Sequence, residues 1–277
     1  MPRQRLWIST VVLLTAVSAA SGHDYWIQPD ALHPRAGAQV PVRLFVGDGF
    51  NPETERNYSK KMTVRFQLLS PMGKRNLMQA DRNGQKPVAV ITPQDSGTYL
   101  LSMQRDWARI ELKPKKFNDY LEHEGLQNIL ELRKKSGELD KVGNERYRRY
   151  LKSAVRVGDS TDGHYRRRLG HRLEIIPQSD PTVARAGDTV AFRVTFEGQP
   201  LRHVQLFALR RHDQQTTKQQ QTTSAGGIAG FHITGPGTWM VRLVHMQRCT
   251  DEPGMDWESF WASYTFGVGG DTSRKAP

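Results

Sequence analysis

Apolar residues along this chain follow two different spacings. In the run RAGAQVPVRLFV (35–46) they alternate with polar ones, the period of a strand with one buried face. The run RAGDTVAFRVTF (185–196) repeats both the Ala-Gly turn and the alternation, and each copy has a proline a few residues upstream, Pro29 or Pro181. A second pair follows. ITPQDSGTYLLSMQ (91–104) matches ITGPGTWMVRLVHM (233–246), each with a Gly-Thr-aromatic step leading into an alternating strand. The same strand-turn order used twice predicts two similar all-β domains. An aromatic at the start of a late core strand fits an immunoglobulin-like sandwich. The expected fold is therefore mainly β, with two immunoglobulin-like β-sandwich domains over 23–112 and 172–268.

Between these halves the spacing becomes helical. In FNDYLEHEGLQNILELRKK, Phe117, Tyr120, Leu121, Leu126, Ile129, Leu130 and Leu132 recur at helical spacing, and Ser136-Gly137 ends the run. ERYRRYLKSAVRV reads as a second helix, with Tyr147, Tyr150, Leu151, Ala154 and Val155 on one side and Asn144 as its cap. Residues 113–171 are thus expected to be a helical insertion and basic linker. QQTTKQQQTTSAGG (214–227) reads as a mobile hairpin loop, and 269–277 as a disordered tail.

The first 22 residues follow the pattern of a secretion signal. Arg3 and Arg5 precede an apolar stretch from Leu6 to Val17, and small residues follow from Ser18 to Gly22. The apolar stretch is short for a bilayer span of ~30 Å. The expectation is a periplasmic protein, not integral to the membrane after cleavage. The formal charge of +12 falls to +10 without the two signal arginines. Arginines and lysines cluster at 146–156 and 166–172, which reads as a solvated face; no nucleic-acid partner is expected outside the cytoplasm. The single cysteine, Cys249, excludes an intramolecular disulfide. No GxSxG, HExxH, P-loop or GxGxxG motif is present, and the chain is read as a non-enzyme.

The candidate chemistry is metal ligation. His23 follows the small-residue zone directly, in GHDYW. Cleavage after Gly22 gives its α-amine and imidazole to one ion, as in a histidine brace; cleavage after Ala20 gives the square-planar set that suits Cu(II) or Ni(II). Asp24 adds a carboxylate. His245 lies near the end of an apolar strand, on the face of Trp239, Val241 and Leu243, with Glu258, Asp256, Met246, Met255 and Cys249 nearby in sequence. His123, His164 and His171 read as surface residues.

HDYWIQP after a signal, the RAG-x-x-V-x-V-R-L-x-V-G step, FNDYLEHEGL, the N-E-R-Y-x-R-Y-x-K segment and LVHM followed by DWESFWASYTF resemble the DUF4198 family, also described as a periplasmic component of cobalt/nickel transport systems. The resemblance covers about 23–268. It implies an exported β-sandwich protein that captures Ni(II) or Co(II) for a membrane metal transporter, and it points to His23 and His245. The expected metal residues are therefore His23, His245, Asp24 and Glu258, with Cu(II) or Zn(II) as alternative ions. Two other readings stay open: a copper protein with an N-terminal histidine brace, and a non-metal immunoglobulin-like envelope binding or adhesion module.

Overall fold

The computed structural model describes residues 23–160 and 162–269. The signal segment and most of the tail expected from the sequence lie outside the described residues. The strands in chain order are β1 (Asp24–Pro29), β2 (Val40–Gly47), β3 (Thr54–Glu55), β4 (Thr63–Ser70), β5 (Gly73–Asn76), β6 (Ala89–Ile91), β7 (Gly97–Arg105), β8 (Ala108–Leu112), β9 (Gly143–Val157), β10 (Leu173–Pro177), β11 (Thr189–Phe196), β12 (Gln199–Pro200), β13 (Gln205–His212), β14 (Gln215–Thr222), β15 (Ile228–His232), β16 (Gly237–Arg248) and β17 (Trp257–Val268). Two helices, α1 (Pro114–His123) and α2 (Gln127–Lys135), stand between β8 and β9. The protein is mainly β.

The strands form one nine-stranded sheet and two four-stranded sheets. The large sheet runs β14-β13-β16-β17-β9-β7-β4-β5, with β8 added on β9. The first small sheet holds β1, β2, β3 and β6; the second holds β10, β11, β12 and β15. The internal repeat carries through to the backbone. Gly97 and Gly237 open the matching strands β7 and β16 at the same φ of 140°, a conformation suited to glycine. At the centre, β9 and β17 pair in parallel, from Trp257↔Glu145 to Thr265↔Ser153.

The small sheets cover opposite faces of the large one. In β7, Leu100 packs with the second small sheet, while Tyr99, Leu101 and Met103 pack with the first. In β9, Tyr150 and Ala154 face the second, while Leu151, Val155 and Val157 face the first. The helices lie on the first sheet's side, where Phe117, Tyr120, Leu121 and Ile129 pack on Val244, Met246, Trp257 and Trp261.

Several local expectations are corrected. ERYRRYLKSAVRV is not a helix: it lies within β9 and is buried on both faces. Its basic residues are not a solvated helix face. Arg146, Lys152 and Arg156 are buried against Glu258, Glu174 and Asp180 respectively. Asn144 donates to Asp256 rather than capping a helix. The first helical run is broken in two by Gly125 at φ 72°. The polar stretch around 214–222 is no loop but an edge strand, β14, paired with β13 along its whole length.

Candidate functional site

The four expected metal residues fall into two groups on opposite faces of the large sheet. On the face of the first small sheet, β1 begins at Asp24, paired with Gly47. Its carboxylate is fully buried. Oδ2 accepts the Phe50 N–H at 2.9 Å, and Oδ1 lies 2.6 Å from Arg242 Nε, off the N–H axis, as an ion pair rather than a directed hydrogen bond. The same guanidinium donates through Nη1 to Glu124, at the end of α1. Burial raises both carboxyl groups above their ordinary values, and the Arg242 charge opposes that rise. Asp24 is thus committed to a buried Asp–Arg–Glu triad. His23 stands outside it and half-exposed, with Nε2 3.5 Å from the Glu53 carboxylate.

Alternation along β16 sends Arg242 to one face and His245 to the other. His245 packs its ring on Phe196 of β11, centroids 4.4 Å apart. Burial first, and then the nearby Arg172 charge, lower its pKa to about 4. It is therefore a neutral imidazole at physiological pH. The inward placement on the Trp239 and Leu243 face agrees with the sequence pattern. The structure does not bring His245 together with His23.

Glu258 lies on the His245 face. It accepts from Arg146 Nε at 3.1 Å and from Gln247 Nε2 at 2.6 Å, with Arg172 3.7 Å away. Arg146 also binds Asp251 and Glu252, and its guanidinium carbon sits 4.4 Å from the Trp107 ring centre. Cys249, Asp251 and Glu258 each place one donor atom within 4.8 Å of the others. Of the expected set, then, Glu258 alone joins a donor cluster, and its partners are Cys249 and Asp251. The sequence signal for this was the crowding of sulfur and carboxylate residues between 246 and 258. Asp256, also in that crowd, bonds Asn144 instead.

A third feature escaped the sequence reading. On the face of the first small sheet, Arg149 lies 4.5 Å from the Tyr25 ring centre, 4.5 Å from Tyr147 and 5.7 Å from Trp261. Its Nε is buried without a hydrogen-bond partner. Arg105, 9 % exposed, faces the same Tyr25 ring at 5.8 Å and donates to Thr63 Oγ1 at 3.1 Å. One further placement corrects an expectation about a histidine. His171, expected on the surface, is buried, with Nε2 3.1 Å from Ser102 Oγ and its ring 5.1 Å from Tyr150. Burial pushes its pKa well below the ordinary value.

These elements define a mainly β protein whose internal repeat builds two small sheets around one shared large sheet. The chain belongs to the DUF4198 family, whose model, described as a domain of unknown function, matches residues 20–247. No curated protein matches the chain. Among solved structures, the D0–D1 domain of intimin is 14% identical, covering 87% of this chain and 96% of that one, at a TM-score of 0.20. A mutant Salmonella alpha-2-macroglobulin is 11% identical, covering 89% of this chain and 14% of that one, at 0.22. Dimeric latent PorU from Porphyromonas gingivalis is 9% identical, covering 94% and 21%, at 0.18. Among the described residues, no helix is long and apolar enough to cross a membrane.

Proposed function

We propose that this chain binds a divalent transition metal ion, nickel or cobalt, in the periplasm and passes it to a membrane transporter. The observation that supports the reading is the convergence of Cys249, Asp251 and Glu258 within 4.8 Å. One soft sulfur and two hard oxygens form a mixed set suited to borderline ions, among which Cu(II) and Zn(II) also compete. Periplasmic placement rests on the leader-like pattern of residues 1–22. Arg146 sits among the same carboxylates. An incoming cation has to displace it, so affinity is modest and rises as the thiol deprotonates.

The test is equilibrium dialysis with nickel, cobalt, copper and zinc on wild type, Cys249→Ala and His23→Ala. Binding of one ion by wild type and His23→Ala, at least tenfold weaker in Cys249→Ala, supports the site. Loss in His23→Ala alone moves the ion to the amino-terminal end, beside Glu53. No binding by any of the three ends the metal reading. A second reading, a non-metal binding module, is favoured by the guanidinium pair at Arg105 and Arg149.

A further inference from the structure

Most buried cations in this protein face carboxylates or several carbonyl oxygens. Arg242 has Asp24 and Glu124; Arg146 has Asp251, Glu252 and Glu258; Lys152 has Glu174. Arg133 donates to the carbonyls of Glu138 and Lys141, and Arg211 to that of Phe50 and to the Gln28 side chain. Arg105 and Arg149 depart from this pattern. A guanidinium carries five N–H donors. Arg105 uses one, on the neutral Thr63 hydroxyl. Arg149 makes no hydrogen bond or ion pair among the described residues, and its Nε is shut off from solvent.

Both guanidiniums flank the Tyr25 ring and repel one another. Arg56, exposed, adds a third positive charge felt at Arg105. Glu145, on the same face, feels the Arg149 charge but makes no ion pair with it: its carboxylate accepts from Ser259 Oγ and from Tyr120 at 3.3 Å. Holding such charges together, partly dehydrated and with no carboxylate in ion-pair contact, is unfavourable unless an anion completes the site.

We propose that the surface formed by Arg105, Arg149, Tyr25, Tyr147 and Trp261 binds an organic carboxylate. The fork of each guanidinium matches the two oxygens of a carboxylate. The rings favour a ligand with an apolar or aromatic body, because Tyr25 and Tyr147 are half-exposed beside the charges. Inorganic phosphate matches the charge and leaves the rings uncovered. The site lies on the opposite face of the large sheet from Cys249 and Glu258, and it does not depend on the metal reading.

Isothermal titration calorimetry in metal-free buffer tests this with phenylacetate, acetate and inorganic phosphate as probes. Wild type is expected to bind phenylacetate saturably, more tightly than acetate or phosphate. Arg149→Gln and Arg105→Gln are each expected to weaken it at least tenfold, the scale of one charge-assisted hydrogen-bond pair. Melting curves establish that each variant is folded. If either glutamine variant unfolds, Arg149→Lys takes its place, retaining the charge and losing the fork, with a several-fold loss expected. Tighter binding of phosphate than of phenylacetate overturns the ligand class. Absence of saturable binding in wild type, or equal binding by folded variants, overturns the site.

Discussion

Replacing Arg242 by methionine removes the single cation between two buried carboxylates. The side chains of Arg242, Asp24 and Glu124 are 6%, 1% and 0% exposed, so no solvent replaces the lost charge. Asp24 keeps the Phe50 N–H, whereas Glu124 loses its donor from Arg242. Breaking a buried ion pair on one side costs about 3–5 kcal/mol. For a chain of this size that corresponds to a fall of about 10 °C in melting temperature. The sign of the pH dependence follows from the carboxyl groups. Burial already raises both in the folded state, and without the guanidinium they rise further. The folded variant then takes up protons that the unfolded chain releases, so its deficit is greatest at pH 7 and shrinks as pH falls. Urea and thermal unfolding of wild type and Arg242→Met at pH 7 and at mildly acidic pH measure both effects. The triple variant with Asp24→Asn and Glu124→Gln as well should recover most of the loss. A deficit below about 1 kcal/mol, or one equally large at both pH values, would refute the claim that these charges are mutually dependent.

Other consequences can be measured separately. Glu145 is fully buried with its pKa raised from 4.5 to about 7, so stability present below pH 4.5 is lost as pH rises through 7. Glu145→Gln should flatten that slope and gain up to about 3 kcal/mol at pH 8, read from urea midpoints across pH. His245 should show no imidazole titration by NMR above pH 5, and stability should fall as pH drops from 6.5 toward 4, because the unfolded ring takes the proton first. A His245 titration near 6.5 would contradict its burial. Gly97→Ala and Gly237→Ala should each cost about 1–3 kcal/mol, since both residues sit at φ 140° and a Cβ would strike Asp162 and Pro71 in one case and the Arg211 carbonyl in the other. A large difference between the two would break the equivalence of the repeats. Gly143→Ala should destabilise by a similar amount by driving a methyl into the Phe117 ring.

The repeat was readable because RAG turns and Gly-Thr-aromatic steps are local signals, and the backbone repeats them at Gly97 and Gly237. The β9 strand was misread for a physical reason. A strand between two layers is buried on both faces, so its apolar residues come in adjacent pairs, Tyr150-Leu151 and Ala154-Val155. Pairs spaced four apart imitate one side of a helix. Its arginines looked solvent-facing because their acidic partners come from distant segments, such as Glu258 for Arg146 and Asp180 for Arg156. The alternation on β16 placed His245 inward correctly. Nothing in a linear pattern told that His23 belongs to the other side of the same sheet. The Arg149 surface draws Tyr25, Tyr147 and Trp261 from three separate strands, and no spacing in the chain encodes that meeting.

The parallel seam between β9 and β17 bears on how the two halves relate as objects. Neither half ends in a free border: the last strand of each is an interior strand of the shared sheet. Cutting the chain after residue 160 would leave β9 with a long, bare row of amides and carbonyls, a template for any other strand. Such a fragment should dimerise or aggregate rather than persist as an independent unit, and the intact chain should melt in one step instead of two.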